Sequence, residues 1–245
     1  MTSAVQSDGQ VTVALVHGAF ADSSGWNGVI ERLQADNIPV KALVNPLRGI
    51  AADSAYVGSA LRQIPGRVLA VGHSYGGAVI TNAATTADNV VGLVYVAAFA
   101  PDEGETLMEI EGRTRDSVLL EALRPNQYPT GKGSEPAVEL SIDPASFRQT
   151  FAADLPEQEA AVMSATQRPI AESSFGEKSG PPAWKKLPSW AVVATGDKTI
   201  GSDIVLSMAQ RAGAQITEVE SSHVLMISHP DVVADVVRTA HEAVS

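Results

Sequence analysis

The sequence contains no cysteine at all. That absence removes disulfide scaffolding, thiolate catalysis and every cysteine-based metal site in one step. It is compatible with a reducing compartment. Aromatic residues make up only 5% of the chain, so each one that falls near a site is worth following. Basic residues are also scarce. Seventeen Lys and Arg stand against 28 Asp and Glu, for a formal net charge of -11. A field of that sign repels polyanions, which argues against nucleic acid and anionic membrane surfaces as partners. No local basic run reverses it. No apolar run approaches the length of a membrane span. The first ten residues, MTSAVQSDGQ, lack the basic and apolar regions of a signal peptide. The expectation is a cytoplasmic protein whose partner is a small molecule.

What is present is an alternation of short apolar runs and helical patterns. Runs at 11–16, 40–44, 67–71 and 90–98 read as strands. Helical spacing separates them, at 26–33, 52–64 and 78–86. Strand, helix, strand in this order implies βαβ units and a parallel sheet. Nearly continuous apolar strands imply that both sheet faces are covered. The predicted fold class is α/β, a three-layer αβα sandwich. The rhythm stops between residues 101 and 187, a stretch too long for a simple loop. Charges, Pro and Gly are frequent there, as in Arg124-Pro125 and Tyr128-Pro129-Thr130-Gly131. Helical patterns at 117–123 and 156–166 predict an inserted, mostly helical cap. The α/β pattern resumes with a strand at 190–195, a helix at 203–212, a strand at 215–219 and a last helix near 231–243. The expected division is a core of residues 1–100 and 188–245, with the cap at 101–187.

One motif carries chemistry. Gly72-His73-Ser74-Tyr75-Gly76 falls where a strand stops and a helix starts. The Gly-x-Ser-x-Gly pattern arises by chance about 0.1 times in a chain of this composition. Its strand-turn-helix setting makes it far more specific. A serine on such a turn projects its hydroxyl above the sheet, and side chains two residues before and after would strike neighbouring backbone. A phosphate-binding loop at a helix N-terminus is the competing reading, but no P-loop lysine or GxGxxG spacing accompanies the turn. The five histidines form no HExxH pair, so no zinc site is indicated.

A serine nucleophile needs a base, and the base needs a carboxylate. His223 follows Ser221-Ser222, after the last strand and before the last helix, at the sheet edge where ligands bind. His73 is awkwardly close in sequence to Ser74. His229 precedes Pro230 at a helix entrance, and His241 lies near the chain end. His17 reads as a pin for its own loop. For the carboxylate, Asp197 follows the strand at 190–195, and Asp102 is the rival after the strand at 90–98. Two backbone donors are needed for the oxyanion. Tyr75 supplies one. Ala19 is chosen for the other, with Phe20 as the neighbouring alternative.

These segments resemble the α/β-hydrolase superfamily over nearly the whole chain. The matching residues are Leu15-Val16-His17-Gly18-Ala19-Phe20, Gly72 through Gly77, Thr195-Gly196-Asp197-Lys198-Thr199-Ile200 and Ser222-His223-Val224-Leu225-Met226. Within that superfamily the chain is most similar to cap-bearing bacterial hydrolases related to plant methyl-ester esterases and hydroxynitrile lyases. The resemblance implies a triad in the order Ser74, Asp197, His223. It also implies a departure. The first strand begins near residue 11, so the two leading strands of larger members are missing and a six-stranded sheet is expected. The lyases carry a lysine after the catalytic histidine, where this chain has Val224. Dehalogenases and epoxide hydrolases of this fold use an aspartate nucleophile, where this chain has Ser74.

The expected activity is hydrolysis of a small, mostly apolar ester or lactone, with no metal or organic cofactor. Phe20, Trp26, Phe99, Met108, Trp184, Val224 and Met226 are the candidate substrate contacts, and core packing is the competing reading for each. Two alternatives remain open at this stage. One is a different chemistry on the same triad, such as a lyase, amidase or cofactor-free oxygenase. The other is a non-catalytic ligand receptor built on the same fold.

Overall fold

The structure, a computed structural model, describes residues 9–130 and 135–245. Residues 1–8, most of the N-terminal stretch without signal-peptide character, and Gly131 of the insert lie outside the described residues. In chain order the first half comprises β1 (Val11–Val16), α1 (Asn27–Ala35), β2 (Val40–Leu43), α2 (Ile50–Arg62), β3 (Arg67–His73), α3 (Tyr75–Ala83) and β4 (Val90–Val96). The middle contains α4 (Leu107–Glu111), α5 (Leu119–Ala122), β5 (Leu123–Tyr128), β6 (Ala137–Ile142), α6 (Pro144–Phe151), α7 (Glu157–Thr166), β7 (Ile170–Ala171) and α8 (Ser173–Gly176). The chain closes with β8 (Ser189–Ala194), α9 (Ser202–Arg211), β9 (Gln215–Val219), α10 (Leu225–Ser228) and α11 (Pro230–Val244).

Six strands form one sheet in the order β2-β1-β3-β4-β8-β9. Every neighbouring pair is parallel. The interior strands are mostly apolar because both faces are covered, and all six residues of β1 and of β8 are buried. The two faces can be told apart from β4. A side chain at Gly92 would meet Val244 of α11, whereas Tyr95 meets Gly77 of α3. Positions 92 and 95 point to opposite faces of a strand, so α11 and α3 cover opposite sides. Val233, Ala234, Val236, Val237 and Ala240 form the buried stripe of α11. Its spacing at three and four residues is what lays that helix flat on the sheet.

The insert differs from the mostly helical expectation. Alongside its helices, β5, β6 and β7 form a separate antiparallel sheet in that order. The reason it escapes a sequence reading is physical. β5 reads LRPNQY, and its central residues are exposed. Its proline is tolerated because an edge strand can lack a ladder donor. β7 has only two residues. Helix α6 is a further departure from the expected helices; Asp143 caps it by accepting from the Ala145 N–H, and Pro144 opens it.

Among the described residues, no helix is long and apolar enough to cross a membrane.

Candidate active site

Parallel pairing brings the C-terminal ends of β1, β3, β4, β8 and β9 to one edge of the sheet. Val16 pairs with Gly72, His73 with Val96, Val96 with Val192, and Ala194 with Val219. The segments that leave β1, β3, β8 and β9 at this edge carry Ala19, Ser74, Asp197 and His223.

Ser74 lies between β3 and α3 with φ 52 and ψ -125. A non-glycine residue in that region stores strain, which the surroundings must hold. The turn is held from both sides. A Cβ at Gly72 would stand 2.6 Å from the Gly76 carbonyl oxygen, and one at Gly76 would stand 2.4 Å from that of Val16. No side chain fits at either position. The Ser74 N–H donates to the Val96 carbonyl at 3.3 Å, and the Ser74 carbonyl accepts from Gly77 and Phe99. The elbow is thereby fastened to β4 and to its own helix.

His223 and Asp197 meet across the same edge. His223 Nδ1 and Asp197 Oδ2 are 2.8 Å apart, and both side chains have zero exposure. The second oxygen, Oδ1, accepts from the N–H groups of Thr199 at 2.7 Å and Ile200 at 3.1 Å. Three donors therefore hold this carboxylate in one orientation. An acceptor at Nδ1 places the proton there and leaves Nε2 as the basic nitrogen. Among the described residues His223 Nε2 is buried without a hydrogen-bond partner, Ser74 included. Asp102 sits differently. Its Oδ1 takes the Lys185 ammonium at 2.5 Å, in a pair that is one-third to one-half exposed.

The other histidines take structural positions. His73 Nε2 lies 3.0 Å from the His223 carbonyl oxygen and donates to it. The His73 ring is 4.7 Å from that of His223. Burial, reinforced by the neighbouring His223, holds the His73 pKa well below the ordinary value, so this ring is neutral. His17 has Nδ1 2.9 Å from the Gly18 carbonyl, and its Nε2 accepts from the Asn45 N–H at 3.2 Å. Burial lowers its pKa as well. It pins the loop after β1, as its sequence position suggested. His229 precedes α11 and contacts the Ser228 hydroxyl, and His241 reaches the Val11 carbonyl.

The loop after β1 runs against the elbow. A Cβ at Gly18 would stand 2.6 Å from Ser74 Cβ. The next two residues differ in a way that matters. The Phe20 N–H is committed to the Arg168 carbonyl at 3.0 Å. Among the described residues, the N–H groups of Ala19 and Tyr75 find no protein acceptor. Phe20 itself has φ 59, a second strained residue beside the strained serine.

The candidate substrate contacts are dispersed. Phe20 and Met226 line one cleft of about 360 Å³, together with Asp22, Glu159, Val162, Met163 and Ile227. Trp26 is fully buried and sets its ring edge-on to His73 at 6.3 Å. Val224 is fully buried beside His223 in the chain. Phe99 braces the elbow through its backbone. Trp184 donates to the Pro101 carbonyl and lies under Lys185 and Arg211. Met108 stands exposed on α4.

Three residues of the insert that the sequence reading missed reach the site. Phe151, at the end of α6, sets its ring 5.1 Å from His223, 6.4 Å from His73 and 6.3 Å from Phe20. Arg168 supplies the carbonyl that holds Phe20. Asp154 binds the segment just before His223. One signal was present for the first. Phe147 and Phe151 are four apart after a capping Asp-Pro, the spacing of one helix face.

A strained serine on a strand-helix turn, a buried aspartate-histidine pair and two free amides at one sheet edge form a candidate site of the α/β-hydrolase kind. A model of the alpha/beta hydrolase family matches residues 13–236. The chain belongs to that family. Its fold is similar to that of a polyneuridine aldehyde esterase, at 18% identity and a TM-score of 0.78, covering 92% of this chain and 97% of that one. It is also similar to a methylesterase from Arabidopsis, at 20% identity and a TM-score of 0.73, covering 94% and 98%. A pyrethroid hydrolase from Sphingobium faniae JZ-2 matches at 19% identity and a TM-score of 0.74, covering 96% and 98%. No curated protein matches the sequence.

Proposed function

We propose that this enzyme is a serine hydrolase that cleaves a small, mostly apolar ester or lactone through an acyl-enzyme. The observation that carries the reading is the buried Asp197–His223 pair, with Nε2 left unpartnered at the sheet edge that bears Ser74. A hydroxyl is a weak nucleophile until a base takes its proton. His223 Nε2 takes that proton as Ser74 Oγ bonds to the substrate carbonyl carbon. Asp197 stabilises the imidazolium so formed and fixes its tautomer. The carbonyl oxygen becomes an oxyanion and accepts from the Ala19 and Tyr75 N–H groups. One such donor is worth on the order of 10²–10³ in kcat. His223 then gives its proton to the leaving alkoxide, and the alcohol departs. Water enters, loses a proton to the same nitrogen and attacks the acyl carbon. Collapse releases the acid and restores Ser74.

The reading of an apolar, uncharged substrate draws on the cleft that Phe20, next to Ala19, and Met226, three residues after His223, line; Ser74 and His223 themselves are not among its lining residues. Its walls include Ala21, Val162, Met163 and Ile227, and its carboxylates, Asp22 and Glu159, disfavour an anionic group. Esterase and hydrolase names among the structures of similar fold agree with this chemistry. The test is hydrolysis of p-nitrophenyl acetate and butyrate. Turnover by the wild-type chain that Ser74→Ala abolishes supports the reading. Turnover that survives Ser74→Ala overturns the mechanism, and no turnover on any ester or lactone overturns the function.

A further inference from the structure

Asp154 lies in the turn between α6 and α7, in the insert, yet its carboxylate is spent on the core. Oδ2 accepts from the Ser221 hydroxyl at 2.7 Å and from the Ser222 N–H at 3.0 Å. Oδ1 accepts from the Ser222 hydroxyl at 2.5 Å. Both serines are about 5% exposed, and the next residue is His223. On the core side the same segment is held by the Gly196 N–H on the Ser221 carbonyl and by His73 on the His223 carbonyl. Three residues before Asp154, the Phe151 ring packs on the His223 ring.

We propose that Asp154 is a positioning residue that fixes the His223 loop from the insert and so holds the imidazole at the sheet edge that bears Ser74. The inference rests on the reading of His223 as the base. Its physical basis is that charge-assisted hydrogen bonds are short and strong, and that misplacing a reacting group by about 1 Å costs on the order of 100-fold. Desolvation opposes ionisation of Asp154, but the hydrogen bonds from Ser222 and Ser221 outweigh it and hold its pKa at about 2. The clamp is therefore charged at every pH at which a histidine base works. Because Asp154 itself is exposed, replacing it opens no cavity in the core.

The test uses Asp154→Asn, which keeps the shape and discards the charge, and Ser222→Ala, which removes one donor. Two readouts are taken, the rate of Ser74 labelling by a fluorophosphonate and the kinetics on p-nitrophenyl acetate. Asp154→Asn is expected to lower both the labelling rate and kcat by about 10- to 100-fold, with KM within about threefold of wild type. Ser222→Ala changes them in the same direction by less. In a His223→Ala background, Asp154→Asn should change the residual rate by less than about twofold, because its effect runs through that ring. A labelling rate within about twofold of wild type overturns the inference. So does an equal loss in the His223→Ala background, which marks a general structural effect. Absence of labelling in the wild-type chain overturns the serine-hydrolase reading itself, and this inference with it.

Discussion

Asp197 and His223 are 26 residues apart in the chain and meet at 2.8 Å with both side chains buried. The pairing is a product of sheet order. Asp197 leaves β8 and His223 follows β9, and these strands are parallel neighbours. A second observation supports the proposal that Asp197 is the triad carboxylate: two backbone amides fill its other oxygen. Asp197→Asn retains the shape but offers an amide where the imidazole needs an acceptor, so the wrong tautomer is favoured. The expected loss in kcat on p-nitrophenyl acetate is on the order of 10⁴-fold. Asp102→Asn should leave kcat within about twofold, because Asp102 serves a partly exposed pair with Lys185. A large loss from Asp102→Asn with little from Asp197→Asn would exchange their roles.

Glu111 gives a prediction about pH and stability. It is 3% exposed on α4, and among the described residues neither carboxyl oxygen has a partner at hydrogen-bond geometry, the Ser117 hydroxyl nearby offsetting only part of the burial. The nearby Ser117 hydroxyl is already committed to the Thr199 carbonyl at 2.6 Å. Burial, with a further contribution from the Asp197 charge, pushes the Glu111 pKa up from 4.5 to about 8. The unfolded chain releases this proton above pH 4.5, whereas the folded chain keeps it until about pH 8. Folding therefore loses stability as pH rises across that window and levels off above it. Glu111→Gln removes the titration and keeps the volume. The variant should gain on wild type between pH 4.5 and 8, by an amount on the order of a few kcal/mol at the upper end. Urea unfolding at pH 5 and pH 8.5 reads the difference. A gap that does not widen with pH contradicts the assignment.

The parts of the molecule legible in the sequence are those governed by local pattern. β1 and β9 fall on the residues their apolar runs indicate, and the six-stranded parallel sheet follows from strand and helix alternation. Ser74 was legible because its turn requires small residues at fixed positions, and those positions abut backbone oxygens. The meeting of His223 with Asp197 was legible because each follows a recognisable strand. The insert was not, because its structure depends on long-range contacts. Nothing in Leu-Arg-Pro-Asn-Gln-Tyr shows that it pairs with Ala137–Ile142. Nothing local shows that Asp154 meets Ser222, 68 residues on. Trp26 and Trp184 show the same limit from the other side. A rare aromatic near a site in sequence can be consumed by packing or by a carbonyl.

Phe151 separates packing from function within one helix. Its ring touches His223, His73 and Phe20, so it braces the His223 imidazole, the elbow and the loop after β1 together. Phe147 lies one turn earlier and is equally buried. Among the described residues its ring meets Phe151 at 5.2 Å and no histidine ring. Truncating either phenylalanine leaves a cavity and should cost about 3–5 kcal/mol in denaturant unfolding. Only Phe151→Ala frees the His223 ring to shift, so only that variant should also lose kcat by about tenfold or more. Phe147→Ala should keep kcat within a few-fold at a temperature where both variants are folded. Phe151→Leu, which refills part of the space, should recover stability more fully than rate, because a branched aliphatic cannot set a flat face against the imidazole. Equal kcat losses in the two alanine variants would reduce Phe151 to a core residue whose contacts with the histidines are incidental.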